Sequence, residues 1–254
     1  MYAAPFPGVM ALPTTARESA VLSGPDFLVL AHRGASEECP ENTLPAFERA
    51  VQLGADGVEL DVQLCEGELV VIHDEKLERT TDGRGTVAGT PLEVLRRLDA
   101  GDGARVPLLA EVLDIVAAPL LVNIELKGPG TAAPVLALLD RLGIEPARIL
   151  LSAFEHAQLE VARTQAPRWT RGALFGRLEG VDPVAAAGAV EARTAHLALR
   201  TVSAERVAAL RAAGLEVLVY TVNEPEAALA LRDLGVRGVF TDRPRALLEA
   251  LGRR

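Results

Sequence analysis

Lysine is almost absent from this chain of 254 residues: of its 26 basic residues only Lys76 and Lys127 are lysines, and the rest are arginines. A sequence that writes arginine wherever it wants a cation makes each surviving lysine worth inspecting. Cysteine is scarce as well. Cys39 and Cys65 alone exclude a disulfide framework and are compatible with a reducing compartment. Positive charge is in deficit, with 35 acidic residues, a formal net charge of −9 and a pI of about 5.1. That balance disfavours sequence-independent binding to nucleic acid or anionic lipid. An anionic substrate must then be met by a local group of cations or by a metal. No run approaches the roughly 20 apolar residues of a membrane helix. Residues 3–13 are mildly apolar, but Pro5, Pro7 and Pro13 interrupt them and no basic residue precedes them, unlike a signal peptide. The expectation is a cytoplasmic protein with no nucleic-acid partner and no integral membrane contact, carrying a loose N-terminal arm over residues 1–25. Residues 26–254 read as a single domain, because no linker or composition shift divides them. At 49% hydrophobic and 24% charged, the chain can bury a sizeable core.

Short apolar runs alternate with amphipathic stretches from residue 27 onward. Strands are expected at 27–31, 58–62, 69–72, 120–126, 149–152, 172–175, 196–199, 216–221 and 238–241. Alternation of this kind implies a parallel sheet. Nine strands is one too many for a closed (β/α)8 barrel, and the surplus is explained locally. Only Glu66 and Gly67 separate the second run from the third, whereas parallel strands need a crossover of a dozen or more residues. These two runs must form an antiparallel hairpin. Counting back from the turn pairs Cys65 with Glu68, Val62 with Val71 and Leu60 with His73. Removing the return strand leaves eight, so the fold class is an α/β TIM barrel with a small insertion at about 75–111, after the second strand and its hairpin. One helix is expected inside that insertion, at 92–98.

Active sites of such barrels lie at the C-terminal ends of the strands. The first strand runs into His32-Arg33-Gly34, the second carries Glu59 and Asp61, its hairpin partner leads to His73-Asp74, and the next barrel strand carries Glu125 and Lys127. Period-two alternation puts Glu59 with Asp61, and Glu125 with Lys127, on shared faces. Each piece has a bland reading: a hydrogen-bonded structural histidine, or a strand carboxylate salt-bridged to its neighbour. Yet carboxylates inside apolar strands cannot stay ionised without a cation, and a single lysine among three acids leaves an excess of negative charge. One divalent cation held by Glu59, Asp61 and Glu125 would resolve it, and all-oxygen ligation points to Mg²⁺ or Ca²⁺. His156, at a helix start, and His196, read as the N-terminal end of its strand on the stability face, are expected to be structural. So is Trp169.

Set in order, these residues join further motifs: Glu41-Asn42-Thr43, Leu77-Glu78-Arg79-Thr80-Thr81, Ser152-Ala153-Phe154, Tyr220-Thr221-Val222-Asn223 and Thr241-Asp242-Arg243-Pro244. The ordered set resembles the glycerophosphodiester phosphodiesterase family from about residue 28 to 244. The resemblance implies a (β/α)8 barrel with a small insertion after the second strand. It also implies metal-dependent hydrolysis of small glycerophosphodiesters to sn-glycerol 3-phosphate and an alcohol. Glu59, Asp61 and Glu125 would hold the metal, and His32 and His73 would be the acid–base pair. Arg33 and Lys127 would contact phosphate, Ser152, Phe154 and Tyr220 would bind substrate, and Glu41 and Asn42 would support the site. Two positions depart from the family pattern: Tyr220, where relatives often carry Trp, and the run Pro107-Leu108-Leu109-Ala110-Glu111. A lysophospholipase D-like enzyme on the same fold would need an apolar wall for an acyl chain, which the short, charged Asp82-Gly83-Arg84-Gly85 stretch does not offer. A non-catalytic relative would lack a metal acid or a histidine, and all are present.

Overall fold

The computed structural model describes residue 22, residues 24–116 and residues 120–253. The first 21 residues of the expected N-terminal arm lie outside that set. Among the described residues nine strands form one sheet: β1 (Leu28–His32), β2 (Gly57–Cys65), β3 (Glu68–Val71), β4 (Leu121–Leu126), β5 (Ile149–Ala153), β6 (Thr170–Phe175), β7 (Thr194–Ala198), β8 (Glu216–Tyr220) and β9 (Gly238–Thr241). All except β3 pair in parallel, and β1 pairs with both β9 and β2, so the eight parallel strands close into a barrel. β2 is long because it does two jobs. Residues 57–62 pair with β4 inside the barrel, and residues 62–65 continue into the antiparallel hairpin with β3. The expected pairs Cys65–Glu68 and Val62–Val71 are formed.

The helices between strands are short. They are α1 (Leu44–Leu53), α2 (Leu92–Leu95), α3 (Leu109–Ile115), α4 (Ala132–Arg141), α5 (His156–Gln165), α6 (Pro183–Ala189), α7 (Ala204–Ala212), α8 (Pro225–Asp233) and α9 (Pro244–Ala250). Proline opens α1, α6, α8 and α9, where its missing N–H costs nothing. Asp182 and Ser203 cap α6 and α7 by accepting backbone N–H bonds, and Gly54 ends α1 in the left-handed conformation, as C-terminal glycines do. None of the helices among the described residues is long and apolar enough to cross a membrane.

Strand alternation sorts the core into layers. Val29, Ala31, Val58, Val122, Leu151 and their like face the helices in one large cluster. Leu28, Leu30, Leu121, Leu150, Leu218 and Phe240 pack together inside the barrel, and Leu22 joins them. The end of the expected loose arm is therefore anchored: Leu22 is buried, and the carbonyls of Leu22 and Pro25 both accept bonds from Arg237. A third cluster, with Cys65, Val70, Ile72, Leu77, Val87 and Leu95, ties the hairpin to the insertion.

The insertion differs from expectation at both its helix and its end. Helix 92–98 stops at Leu95, because the N–H groups of Arg97 and Leu98 bond three residues back instead of four. Leu109, Val112 and Leu113 of α3 belong to the main core, so the excursion ends near residue 108 and α3 is the barrel's own helix.

Gly34 follows the first strand at φ +83°, and a Cβ there would lie 2.6–2.7 Å from Ala46 of α1. Strain and clash coincide. Gly34→Ala should cost at least about 2 kcal/mol, read as a lower urea midpoint at unchanged slope. An unaltered midpoint would show that α1 can retreat.

Candidate active site

The register of β2 and β4 sets Asp61 directly beside Glu125, with Glu59 one layer below, beside Asn123. Glu59, Asp61 and Glu125 are all buried, and each offers an oxygen within 4.8 Å of the others. Two protein cations reach them. Lys127 Nζ lies 2.9 Å from Glu125 Oε1 and 3.8 Å from Asp61 Oδ1. Arg33 Nε lies 3.3 Å from Asp61 Oδ2, and its backbone N–H donates to Glu59 Oε2 at 3.0 Å. Arg33 thus joins the lone lysine of the sequence reading, but its guanidinium is shared with Glu41 at 2.7 Å. Negative charge stays in excess. Burial pushes the Glu59 carboxyl well above its usual range, and repulsion from Asp61 and Glu125 adds to this. Glu125 is raised by burial and by Asp61, against the pull of Lys127. Such a cluster must take up either a proton or a cation. Three carboxylates without sulfur or imidazole fit a hard divalent cation such as Mg²⁺ or Ca²⁺.

Asn42 steadies the cluster by donating from Nδ2 to Asp61 Oδ2 at 2.9 Å. Both Arg33 and Asn42 have positive φ, 59° and 56°, a cost of order 1–3 kcal/mol that persists only where surroundings over-determine it. Here the carboxylates do so.

Each of two histidines is gripped at Nδ1 by an aspartate. His32, at the end of β1, meets Asp242 Oδ1 at 2.7 Å, and its Nε2 is 4.0 Å from Glu59 Oε2. Burial pushes Asp242 up, but bonds from His32, Asn223 and Ser36 outweigh it and bring the carboxyl down to about 2. His73 Nδ1 meets Asp74 Oδ1 at 2.5 Å. Asp74 is held well below the usual carboxylate range, chiefly by Arg79, which also pairs with Glu41. Burial lowers the pKa of His73, and Arg33 adds to this against Asp61 and Asp74. Carboxylate acceptors hold a proton on each Nδ1 and aim each Nε2 outward, where it can accept a proton or, when already protonated, give one up. The expected Leu60–His73 rung is not formed. The last bond runs from Ile72 N–H to Asp61 O, after which Gln63 Nε2 donates to the carbonyls of Ile72, His73 and Asp74 and turns the chain inward.

One cavity of about 200 Å³ collects His32, Arg33, Glu59, His73, Glu125, Lys127, Phe154 and Tyr220 from the expected set. Phe154 stands half-exposed at its mouth, edge-on to Tyr220 and 5.5 Å from Lys127 Nζ. Tyr220 donates its hydroxyl to Phe175 O at 3.0 Å. Ser152 does not reach the cavity: it is fully buried and accepts a bond from Asn123. His156 packs on Phe175 at the start of α5, as expected. His196 departs from expectation. Its strand begins at Thr194, two residues earlier than read, which places the ring mid-strand, in the lumen and on the cavity wall. Asp242, Asn223, Arg79 and Asn123 carry no individual signal of a site role in the sequence. Only the flanking motifs signalled the first three, and inward alternation two residues before Glu125 would have found Asn123.

A model of the glycerophosphoryl diester phosphodiesterase family matches residues 32–246. The chain is 38% identical over 235 residues to a glycerophosphodiester phosphodiesterase of Caldanaerobacter subterraneus subsp. tengcongensis, covering 87% of this chain and 96% of that protein. A glycerophosphodiester phosphodiesterase of Bacillus subtilis is 32% identical, over 92% of this chain and 90% of its own length. Among solved structures, a phosphodiesterase from Oleispira antarctica in complex with the product sn-glycerol-3-phosphate matches with a TM-score of 0.83. Its identity is 31%, over 89% of this chain and 96% of that chain.

Burial pushes the His196 ring down to about 3, while the unfolded chain protonates it below about pH 6.5. The unfolded state therefore binds more protons between those values, and the neutral ring's contribution, full above pH 6.5, is lost as pH falls toward 3. Urea unfolding from pH 7 to pH 4 should show stability falling more steeply in wild type than in His196→Phe. Parallel curves would contradict this.

Proposed function

The chain belongs to the glycerophosphoryl diester phosphodiesterase family, and from that premise we propose that it hydrolyses small glycerophosphodiesters to sn-glycerol 3-phosphate and an alcohol by metal-assisted histidine acid–base catalysis. Its named relatives are glycerophosphodiester phosphodiesterases, and a solved phosphodiesterase shares its fold. The observation that carries the finer reading is the paired arrangement of His32 and His73. Each is fixed at Nδ1 by an ionised aspartate and lines the same cavity as the carboxylate cluster.

Glu59, Asp61 and Glu125 would hold one Mg²⁺ or Ca²⁺, whose chemistry when bound is neutralisation of charge on the non-bridging phosphate oxygens. Arg33 and Lys127 border the same space and supply fixed positive charge to the phosphate. One histidine takes the proton of the glycerol 2-hydroxyl as its oxygen attacks phosphorus. The other gives a proton to the departing alcohol as the ester bond breaks, leaving a cyclic phosphate. Water then opens the ring with the two roles exchanged, and both histidines return to their starting states. Glu41, by pairing with Arg33 and Arg79, and Asn42, through Asp61, keep these groups in place. Phe154 and Tyr220 form the wall at the mouth where the alcohol leaves. The cavity is below the roughly 300–1,000 Å³ of sites for drug-sized ligands, which favours a small polar arm over an acyl chain. The solvent-facing mouth leaves the choice of alcohol open.

The test is a side-by-side rate comparison of a glycerophosphodiester with its 2-deoxy counterpart. The intramolecular attack has a large entropic advantage, so the deoxy diester should turn over at least about 10³-fold more slowly. His32→Ala and His73→Ala should each lower kcat by about 10²-fold or more on the hydroxylated diester. Equal rates for the two diesters would exclude attack by the substrate hydroxyl, and near-normal kcat in either variant would exclude that histidine.

A further inference from the structure

Between β3 and α2, residues 77–81 form a tightly held turn. Leu77 is buried in the cluster that ties the hairpin to the insertion, and its carbonyl accepts both the N–H and the hydroxyl of Thr81. Arg79 lies between these two anchored ends with its side chain half-exposed. Among the described residues, none of the insertion at 75–108 lines the catalytic cavity. Arg79 nevertheless makes four hydrogen bonds to two carboxylates that serve it. Nε donates to Asp74 Oδ2 at 2.5 Å and Nη2 to Asp74 Oδ1 at 3.1 Å. Nη1 donates to Glu41 Oε2 at 2.7 Å and Nη2 to Glu41 Oε1 at 2.9 Å.

Exposed ion pairs contribute little unless they are bidentate or form a network, and this one is both. A planar guanidinium can serve two carboxylates with paired bonds, whereas an ammonium cannot. Each carboxylate is also engaged on its far side. Asp74 Oδ1 meets His73 Nδ1 at 2.5 Å, and Glu41 Oε1 accepts from Arg33 Nη1 at 2.7 Å. His73, Asp74, Arg79, Glu41 and Arg33 thus form one continuous line with Arg79 at its centre. Burial pushes the Glu41 carboxyl up, but bonds from Arg79 and Arg33 outweigh it and hold it low. Without Arg79, the one guanidinium left to Glu41 among the described residues would be that of Arg33. Asp74 would lose the two bonds that set its plane.

We infer that Arg79 couples the proton-transferring His73 to the phosphate-binding Arg33, and that the insertion serves turnover by presenting this one guanidinium to both sides of the cavity. Arg79 is a positioning residue: it lies outside the cavity lining and acts through Asp74 and Glu41. The inference rests on the proposed function for what His73 and Arg33 do. Two effects follow with definite sign. Freed of Arg79, Asp74 orients His73 less firmly, which lowers kcat. Glu41, resting on Arg33 alone, neutralises more of its charge and draws it from the phosphate, which raises KM.

Steady-state kinetics of the Mg²⁺-loaded protein on a glycerophosphodiester test this, with Arg97→Ala, at an exposed pair with Glu93 in the same insertion, as the control. Arg79→Ala should lower kcat/KM about 10- to 100-fold, the range for losing an outer partner of a site, with kcat falling and KM rising. Arg97→Ala should change neither. Arg79→Lys should stay nearer to Arg79→Ala than to wild type. Low-millimolar methylguanidinium should restore turnover in Arg79→Ala, a rescue that a merely structural role would not give. Arg79→Met takes its place in the kinetics if Arg79→Ala does not fold. A double-mutant cycle of Asp74→Asn with Glu41→Gln reads the coupling itself. The two losses in kcat/KM should depart from multiplying by at least about threefold while Arg79 is present, and by less than about twofold once it is replaced. Normal kcat and KM without Arg79, or losses that simply multiply in its presence, with His73→Ala still impaired, would overturn the coupling alone. A His73→Ala variant of normal rate would overturn the proposed function and the coupling with it.

Discussion

Three carboxylates buried side by side in a barrel lumen cannot all keep their charge unaided, and the upper half of this barrel is organised around that constraint. Burial and mutual repulsion drive Glu59 and Glu125 toward protonation. Lys127 and Arg33 reach the cluster, but Arg33 is shared with Glu41. Even the backbone is recruited. The left-handed turn at Arg33 brings its N–H onto Glu59, and the one at Asn42 accompanies an amide bond to Asp61. A divalent cation is the counter-charge that such an arrangement fits, and under the proposed function the same cation would neutralise the phosphate.

The two halves of the lumen have opposite solvation. Leucines from β1, β4, β5 and β8 fill the lower layers, so strand closure and packing secure the fold below the chemistry. Above them the inward positions turn polar, with His32 on β1, Glu59 on β2, Asn123 and Glu125 on β4 and His196 on β7. The hairpin brings in a histidine that no parallel strand of this barrel supplies. Gln63 then bends the chain after β3, so that His73 joins the cavity. Arg79, from the insertion, ties Asp74 to Glu41 and so couples the two sides of the site. The histidines are thus matched across the cavity, each with its own carboxylate.

Much of this could be read from residues alone. The barrel followed from one local fact, a two-residue turn that forbids a parallel pairing, and the carboxylate cluster followed from alternation within β2 and β4. What sequence could not show was long-range pairing. Asp242 lies 210 residues from His32, and no periodicity connects them. His196 lies mid-strand because β7 begins ahead of the apolar run, at Thr194 and Ala195, and it is their pairing with β6 and β8 that sets this start. Ser152 faces the lumen as alternation says, yet Asn123 covers it. The expected helix at 92–98 is a single turn: its backbone tightens to three-back bonds at Arg97 and Leu98, beside the point where Arg96 is held by Glu111 and the carbonyl of Val106, a tertiary contact that local propensity does not register.

The central claim is that the carboxylate cluster is a divalent-cation site and not a protonated acid group. Protein stripped with chelator and titrated calorimetrically with Mg²⁺ or Ca²⁺, in two buffers of different ionisation enthalpy, addresses it most directly. The account predicts one saturable site per chain, release of protons on binding because a raised carboxyl must ionise, and turnover that returns in step with occupancy. No saturable binding, together with full turnover in the metal-free protein, would contradict it.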